Sequence, residues 1–345
     1  MTSKIPSSGA YSPEQDSDSD LWFLPGPPED EPDFLPTGSR TSPQETSLLE
    51  DWRKAEASLA AQLARVAGRF GALDERLRRG PEGWRHRLAL IEAAELSWFS
   101  GDRIGADRLA LWVGLRLSGV QEDSRALARV SWAVRRLSGG QGPEHDLAQF
   151  LGRHDSEQND LDHDSFSNHA DAWRSTMSAA LPLHPISRAC YGFHHWALAG
   201  LGQQGDRIEA AVTAARIAAS ESRGAVFAPL AMGGAEGLRA GGLPHARLER
   251  WLAGMESACL SAMRQLDDIE AWNERACKAM TKLSGRTPPA LRTILMEWPL
   301  VSAPMAEAMT GASRAAVQRN LALMEAQGLI REVTRQGRFR MWRIT

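Results

Sequence analysis

The side chains best suited to chemistry in this chain carry hydroxyl, amide and guanidinium groups and lie within residues 286–345. Hydroxyl and guanidinium groups bind phosphate oxygens, and glutamine or arginine can pair with the edges of adenine or guanine. The chemistry indicated is recognition of duplex DNA. We predict phosphate contacts at the start of one helix, base contacts further along it and backbone or minor-groove contacts from a hairpin, made respectively by Ser313 and Arg314, by Gln318 and Arg319, and by Arg335, Arg338 and Arg340.

Three short helices are predicted to position the first four of these residues. An apolar helix spans 290–298, and Ser302 caps a second helix over 303–309, because a serine oxygen accepts from the free N–H groups of a first turn. Thr310-Gly311-Ala312 predicts a tight turn, and Ser313 caps a third helix that runs to about residue 327. Two helices joined by a glycine-containing turn are typical of the helix-turn-helix arrangement.

The third helix has two distinct faces. Val317, Leu321 and Met324 are spaced by four and three residues, so they share the face that packs on the first two helices. Arg319 faces away, with Gln318 on the flank and small alanines beside them that allow close approach to a groove wall. We therefore expect this helix to enter the major groove.

Beyond the third helix, the sequence predicts a β-hairpin. Residues 329–333 are rich in strand formers, Gln336-Gly337 favours a turn, and residues 338–344 alternate imperfectly between arginine and apolar side chains. A hairpin placed after a helix-turn-helix is the wing of a winged helix-turn-helix. The fold class predicted is mostly α, a multi-helix body followed by a C-terminal winged helix-turn-helix domain.

Charge supports this interpretation. Residues 286–345 contain nine arginines and four glutamates, an excess of five positive charges, whereas the whole chain carries a net charge of −3. A basic module on an acidic body favours a phosphate-binding surface. The alternative is a small cap domain that only packs on its neighbour or contacts another protein.

Length and composition place the chain among mostly helical, multidomain proteins. Strand formers are scarce outside the C-terminal region, and the three cysteines are far apart, which implies no disulfide framework. The sequence has neither a secretory signal pattern nor a long apolar run, so we expect a cytoplasmic protein that does not enter a membrane. The predicted divisions are an extended or disordered leader (1–46), an N-terminal helical domain (47–140), an acidic linker (141–171), a central helical domain (172–285) and the winged helix-turn-helix (286–345).

Two helical patterns in the body leave alternatives open. The stripe from Leu59 to Leu77 within a predicted helix over 47–79 fits an intramolecular core helix better than a dimer seam, because it covers fewer than three heptads. Trp84, Leu88, Ile91 and Trp98 are predicted to line the core face of the next helix. A long helix over 245–283 is predicted to connect the body to the C-terminal module.

Two groups of residues suggest metal ligands only weakly. Asp160 to Asp164 resembles the start of a calcium loop, but Ser165 stands where the sharp turn needs glycine. Cys190 and His194 lie four residues apart with His195 beside them, and two candidate ligands do not make a zinc site. We therefore predict no metal and no cofactor.

Several strings resemble an uncharacterised protein family encoded on plasmids and chromosomes of root-nodule bacteria. These strings are the leader segment Trp22–Pro28 with Glu29-Asp30-Glu31, the segment Ala72–Arg79 with Glu82–Arg85, and the segment Trp298–Met305. The resemblance covers most of the chain and implies a DNA-binding regulator.

The same family distantly resembles Fic proteins, which transfer AMP to hydroxyl groups through an H-P-F-x-[DE]-G-N-G-R motif. The best local match is Ala199 to Arg207, in which only Arg207 agrees among the functional positions. Ala199 replaces the general-base histidine and Gln203 the acidic magnesium ligand, so both main supports of the transfer are missing. The resemblance implies a degenerate, non-catalytic scaffold, and we predict that the chain is not an enzyme.

The function predicted is a DNA-binding transcriptional regulator whose partner is double-stranded DNA and which forms a homodimer, because one small recognition module binds weakly alone. The alternative is a protein–protein interaction module on the degenerate Fic-like scaffold.

Overall fold

The computed structural model describes residues 43–115, 123–153, 160–202, 207–281, 283–334 and 340–345. Thirteen α-helices and one 3-10 helix lie in these ranges, together with a small three-stranded sheet near the C-terminal end, so the mostly α prediction is confirmed. Within these ranges, no helix combines the length and the hydropathy of a membrane-spanning segment. The predicted leader lies outside the described residues, except for its last four positions, which belong to the first helix.

The body is built from ten α-helices and the 3-10 helix. They are α1 (Pro43–Ser58), α2 (Ala60–Arg79), α3 (Gly83–Ser100), α4 (Ala106–Leu115), α5 (Ser124–Ser138), α6 (Leu147–Leu151), α7 (Asp160–Ala179), α8 (Pro185–His195), α9 (Ile208–Ala218), η1 (Ala235–Leu238) and α10 (Pro244–Ala279).

One continuous apolar core joins these helices. Its fully buried members come from both the N-terminal and the central segments, and examples are Leu73, Leu88, Val130, Ile186 and Leu252. The predicted stripe on α2 belongs to this core and packs against α10 of the same chain. The intramolecular interpretation of that stripe is therefore confirmed.

Residues 47–79 are helical as predicted, but the chain forms two helices there, which meet at Leu59. The Ser58 hydroxyl donates to the Ala55 carbonyl oxygen at 2.9 Å, which gives the backbone an alternative partner at the end of α1. The Leu59 N–H is shared between the carbonyl oxygens of Ala55 and Glu56. Local side-chain hydrogen bonding of this kind leaves no trace in the apolar periodicity.

The core role predicted for Trp98 is also wrong, since this residue is 55% exposed. Its helix, α3, is buried on most of its circumference, as Leu90, Ala93, Leu96 and Ser97 illustrate. A helix surrounded by neighbours has no single inner stripe, so the spacing of Trp98 from Leu88 did not define its direction.

The stretch predicted as an acidic linker contains ordered helices. Helix α6 is capped by Asp146, whose side chain accepts from the Gln149 N–H, and it buries Leu147, Phe150 and Leu151. Asp160 to Asp164 form the first turn of α7, so the backbone there is helical rather than a calcium loop. The side chains of residues 160–165 lie outside the described part.

The C-terminal module follows α10 and has its own core. It contains α11 (Thr287–Glu297), β1 (Val301–Ser302), α12 (Ala303–Thr310), α13 (Arg314–Ala326), β2 (Ile330–Glu332) and β3 (Met341–Ile344). A second apolar cluster includes Leu291, Val317, Leu321 and Met324, together with Trp272 from the last part of α10. Since α10 has 36 residues, a length of about 54 Å, it contributes to both cores, as expected of the predicted connecting helix.

The sheet of the module is antiparallel with the strand order β1-β3-β2. Ile330 pairs with Ile344 and Glu332 with Trp342 across the hairpin, while Val301 pairs with Trp342 on the other side of β3. The predicted hairpin strands are confirmed in shortened form, but β1 was not predicted. Two residues are too few for strand alternation to be recognised.

Candidate nucleic-acid interface

Helix α13 begins and ends where the sequence predicted. The Ala316 N–H donates to the Ser313 side-chain oxygen, which satisfies one of the free donors of the first turn. Gly311 adopts a left-handed conformation with φ of 64° at the end of α12, which a residue with a β-carbon adopts only with strain. Ser302 caps α12 in the same way by accepting from the Met305 N–H. These local contacts fix the angle at which α13 leaves the turn.

The two predicted faces of α13 are both observed. Val317, Leu321 and Met324 are buried against α11, α12 and β2. Gln318 and Arg319 lie on the exposed side, next to the exposed Ala315 and Ala322. The side chains of Gln318 and Arg319 make no hydrogen bond or ion pair with any residue that the structure describes. A donor-rich surface flanked by alanines is therefore free for a ligand.

The start of α13 presents a further cation. Arg314 is 76% exposed in its side chain, and its nearest carboxylate, Glu307, lies 3.9 Å away. An ion pair this long and exposed contributes little, so Arg314 can turn towards another anion. The Ser313 hydroxyl accepts from the backbone while its own proton is available to donate.

The hairpin arginines differ from those of the helix. Arg335 and Arg338 lie outside the described residues. Arg340 is described, and its guanidinium pairs with Glu332 at 3.1 Å and Glu325 at 3.4 Å while stacking over the Trp342 ring. The charge of Arg340 is thus already balanced by carboxylates of the same module, which weakens its attraction for phosphate.

Four polar contacts between described residues illustrate how the module is fixed to the body. The Trp272 indole N–H donates to the Leu329 carbonyl oxygen at 2.7 Å inside the protein. Arg343 of β3 pairs with Asp107 of α4, and Arg275 of α10 donates to a main-chain oxygen of Thr345. The fourth contact is the insertion of Arg87 at the end of α11. The partners lie far apart in the sequence, so no spacing pattern could have identified them.

Arg87 holds the C-terminal end of α11. Its guanidinium donates to the carbonyl oxygens of Leu295, Met296 and Trp298, which the helix itself leaves without partners. Burial, with a smaller contribution from the positive charge of Arg343, lowers the pKa of Arg87 to about 9. Gly83 lies against Glu297 so closely that an added β-carbon would clash with its backbone. Helix α3 therefore determines where α11, and with it the module, sits.

The Cys190, His194 and His195 group is a packing contact in the described structure. Cys190 is fully buried, and burial raises the pKa of its thiol well above the usual value. Burial, aided by the nearby Arg247, lowers the pKa of His194 to about 3, and His195 contacts the Tyr191 carbonyl oxygen at 2.8 Å. No group of three or more metal-ligating side chains occurs within the described ranges.

The region aligned with the Fic motif also has structural roles. Arg207 precedes α9 with its guanidinium over the Phe99 ring, and residues 203–206 lie outside the described part.

Comparison with known proteins gives distant likenesses among solved structures and none in sequence. No family model matches the chain, and no curated protein matches it in sequence. Among solved structures, a Fic family protein from Desulfovibrio desulfuricans G20 is similar with a TM-score of 0.44 and 13% sequence identity, over 84% of this chain and 96% of that chain. Similarity to the Fic family is thus seen only as a distant structural likeness. A likeness at this level carries no conclusion about activity.

Proposed function

We propose that the chain binds duplex DNA and acts as a transcriptional regulator, with its C-terminal module working as a winged helix-turn-helix. In this arrangement α12 and α13 form the helix-turn-helix, and the β2–β3 hairpin forms the wing. α13 enters the major groove, where Gln318 and Arg319 approach base edges and Ser313 and Arg314 contact phosphate. The partner is double-stranded DNA, and the cytoplasmic location expected from the sequence is compatible with this partner.

The observation that carries this proposal is the exposed, unengaged pair Gln318 and Arg319 on a helix whose opposite face is completely buried. A buried inner face keeps α13 rigid, and a rigid helix can present its outer side chains to a groove with little loss of conformational entropy. Arginine in that position is the most frequent reader of guanine. The excess of arginine in the module adds attraction for phosphate.

The proposal is tested by titrating the full chain onto a labelled duplex of random sequence at low salt. Phosphate binding appears there first, and three phosphate contacts from Arg314, Arg335 and Arg338 give a slope of about −3 per bound subunit for log affinity against log salt. The double variant Arg314→Glu with Arg319→Glu is expected to lose affinity by at least roughly tenfold, because like charges then face the backbone.

The matched control for this test is Arg264→Glu, which changes the charge of an exposed arginine on α10 in the body. It is expected to bind as the unchanged chain does, apart from a small general effect of net charge. The proposed interface would be ruled out if the chain did not bind duplex at low salt. It would also be ruled out if a body variant with two reversed charges lost as much affinity as the double variant.

A homodimer is part of the proposal. One recognition helix reads a short half-site, and specific binding at physiological salt needs a second copy on the other half. Sedimentation equilibrium on the full chain is expected to give a dimer at the concentrations at which DNA binding saturates. A monomer under those conditions would contradict the homodimer and leave the proposal of DNA binding unaffected.

A second function has its own supporting observation. Arg340 is paired with carboxylates, and Met309 on α12 is 47% exposed, so part of the module surface is less basic and more apolar than duplex binding requires. A protein partner would contact such a surface. This alternative would be favoured if the chain bound a protein partner with an affinity that salt does not weaken, and if Met309→Ser abolished that binding.

We propose no catalytic activity. Position 199, where the Fic resemblance requires a general base, is alanine and has no group to accept a proton. Incubation of the full chain with labelled ATP and magnesium is expected to leave no label on the chain or on added protein. Stable labelling would overturn this view.

A further inference from the structure

A cavity of about 560 Å³ lies where the body meets the C-terminal module. Its walls come from α3, α4 and α10 of the body and from β3 and the turn after α11 of the module. The volume is in the range that holds a small organic ligand. We call this space the junction cleft.

The floor of the junction cleft is apolar. Leu88, Leu90, Ile269 and Ala110 contribute side chains that are themselves almost completely buried. The rim is polar and includes the exposed Gln265, Asp268 and Arg275. An apolar floor under a few polar groups favours a ligand with a hydrophobic part and a polar head.

The arginines of the junction cleft are not equally neutralised. The charge of Arg343 is met by Asp107 at 2.7 Å. Arg87 donates only to carbonyl oxygens, its Nη1 has no partner among the residues described, and no described carboxylate lies within ion-pair distance of it. Arg275 donates to a main-chain oxygen of Thr345. Arg87 meets only carbonyl dipoles among the described residues, so its positive charge is available to an anion in the cleft.

We propose that the junction cleft binds a small amphipathic organic anion, whose apolar part lies on the Leu88, Ile269 and Ala110 floor and whose anionic group is held by Arg87 and Arg275. A charged hydrogen bond to a partly desolvated guanidinium is stronger than one made in water, since the surrounding dielectric is low. An uncharged analogue of the same shape keeps the apolar contacts and loses this contribution. The proposal is independent of whether the module binds DNA.

If the proposed function also holds, the ligand has a regulatory consequence. The junction cleft is bounded on one side by the body and on the other by Arg343 and Ile344 of β3, and Arg87 also holds the end of α11. A ligand that engages Arg87 acts on the residue that fixes α11 to the body. Binding is therefore coupled to the placement of α13, and by linkage DNA binding changes the affinity for the ligand by the same factor.

The ligand site is tested with anilinonaphthalenesulfonate, an aromatic anion that fluoresces in apolar pockets, displaced from the folded full chain by naphthoate or by naphthamide. Naphthoate is expected to displace the probe at a concentration at least roughly tenfold lower than naphthamide, which has the same shape without the charge. Equal displacement by the two compounds would overturn the assignment of an anionic group.

Two variants locate the probe. Ala110→Phe fills the floor and is expected to abolish binding of the probe, while Arg275→Gln removes one rim cation and is expected to weaken naphthoate about fivefold without affecting naphthamide. Arg275 is exposed, so the second variant remains informative if the first does not fold. Undiminished naphthoate binding in Arg275→Gln would contradict the proposal.

The matched control is Ala60→Phe, which places the same side chain in a separate cavity of about 480 Å³ lined by α1, α2 and residues 182–184. Ala60→Phe is expected to bind naphthoate with the same affinity as the unchanged chain does. Loss of binding in Ala60→Phe with retention in Ala110→Phe would assign the ligand to that other cavity and refute the junction cleft.

A final experiment separates the proposal of a ligand site from the proposal of DNA binding. Saturating naphthoate is expected to change the affinity of the unchanged chain for random duplex by at least about threefold and to have no effect on Ala110→Phe. If the chain binds no duplex but still prefers naphthoate, the proposed function fails and the ligand site stands. If duplex binds with one affinity whether or not naphthoate is present, the regulatory consequence fails.

Discussion

Buried charged side chains of the body and exposed side chains on α13 of the C-terminal module are used in opposite ways. In the body, Glu92 is fully buried and accepts the backbone N–H groups of Leu230, Ala231 and Met232 at 2.8–3.1 Å. Arg216 is likewise almost buried and donates to the carbonyl oxygens of residues 136, 139 and 140. On α13 of the module, Gln318 and Arg319 stand in solvent with no partner among the described residues.

The difference separates charges that build the fold from charges that are available to a ligand. Every buried N–H and C=O group needs a hydrogen-bond partner. In a loop, a buried carboxylate or guanidinium provides the partners that a helix or sheet would otherwise provide. An exposed arginine with no partner contributes little to folding. Removal of a buried body charge such as that of Glu92 should therefore change stability, and removal of an exposed α13 charge should change binding alone.

The strongest test of the body half of this comparison is Glu92→Ala. Three buried N–H groups lose their acceptor, and the free energy of unfolding is expected to fall by about 4 kcal/mol. The measurement is the midpoint of urea unfolding followed by circular dichroism. The matched control is Glu95→Ala on the same helix, whose side chain is exposed and whose loss should cost less than about 0.5 kcal/mol. Similar costs in the two variants would show that Glu92 does not hold the loop.

The pH dependence of stability should also depend on Glu92. Burial raises the pKa of its carboxyl group from 4.5 to about 7 in the folded protein, although three N–H donors act in the opposite direction. The folded state therefore holds the proton more tightly than the unfolded state does. The stability that this proton contributes is fully present below pH 4.5 and is lost as the pH rises to about 7.

The size of that loss is about 3 kcal/mol, from the separation of the two pKa values. It is measured as the difference in unfolding free energy between the natural chain and Glu92→Gln, because the amide does not titrate and other groups cancel. The advantage of the natural chain over Glu92→Gln should shrink between pH 4.5 and 7 and stay constant above that range. A difference that grows with pH would reverse the assigned sign.

The module half of the comparison is tested by Arg319→Ala. Affinity for a duplex selected from a random library is expected to fall by about 2 kcal/mol, because one bidentate base contact is lost. The midpoint of urea unfolding should be unchanged, since the side chain is exposed. Arg264→Ala removes the same charge from the body and should leave both quantities unchanged. A loss of stability in Arg319→Ala without a loss of affinity would place this arginine among the structural charges.

The part of the fold predicted from sequence is the part governed by local rules. Ser302 and Ser313 cap α12 and α13, and Val317, Leu321 and Met324 form the buried face, because capping and helical spacing are properties of neighbouring residues. The same spacing rule gave the wrong direction for Trp98, because α3 has neighbours on most sides. Periodicity identifies an inner face only for a helix with one exposed side.

The contacts that position the module could not be predicted from the sequence, and the reason is different. Arg87 reaches the end of α11 and Asp107 reaches Arg343, across separations of more than two hundred residues. Such pairs are set by tertiary packing and leave no periodic signal. Likewise, the sequence marked Arg340 as a wing cation but could not show that Glu325 and Glu332 lie beside it.

The smallest expected effect concerns Arg340, the one predicted wing contact that the structure describes, which belongs to the module but is paired with carboxylates as the buried body charges are paired with backbone groups. In Glu332→Gln one of its two carboxylate partners becomes neutral, while the amide oxygen still accepts from the Thr334 hydroxyl. If the wing lies along the DNA backbone, the released charge should raise duplex affinity about twofold at low salt and have no effect at high salt, because exposed charges are screened. Glu236→Gln, the same change at an exposed position in the body, corrects for net charge. An equal rise in both variants would mean that Arg340 is not near the DNA, and that the wing is held by its own ion pairs for the sake of the fold.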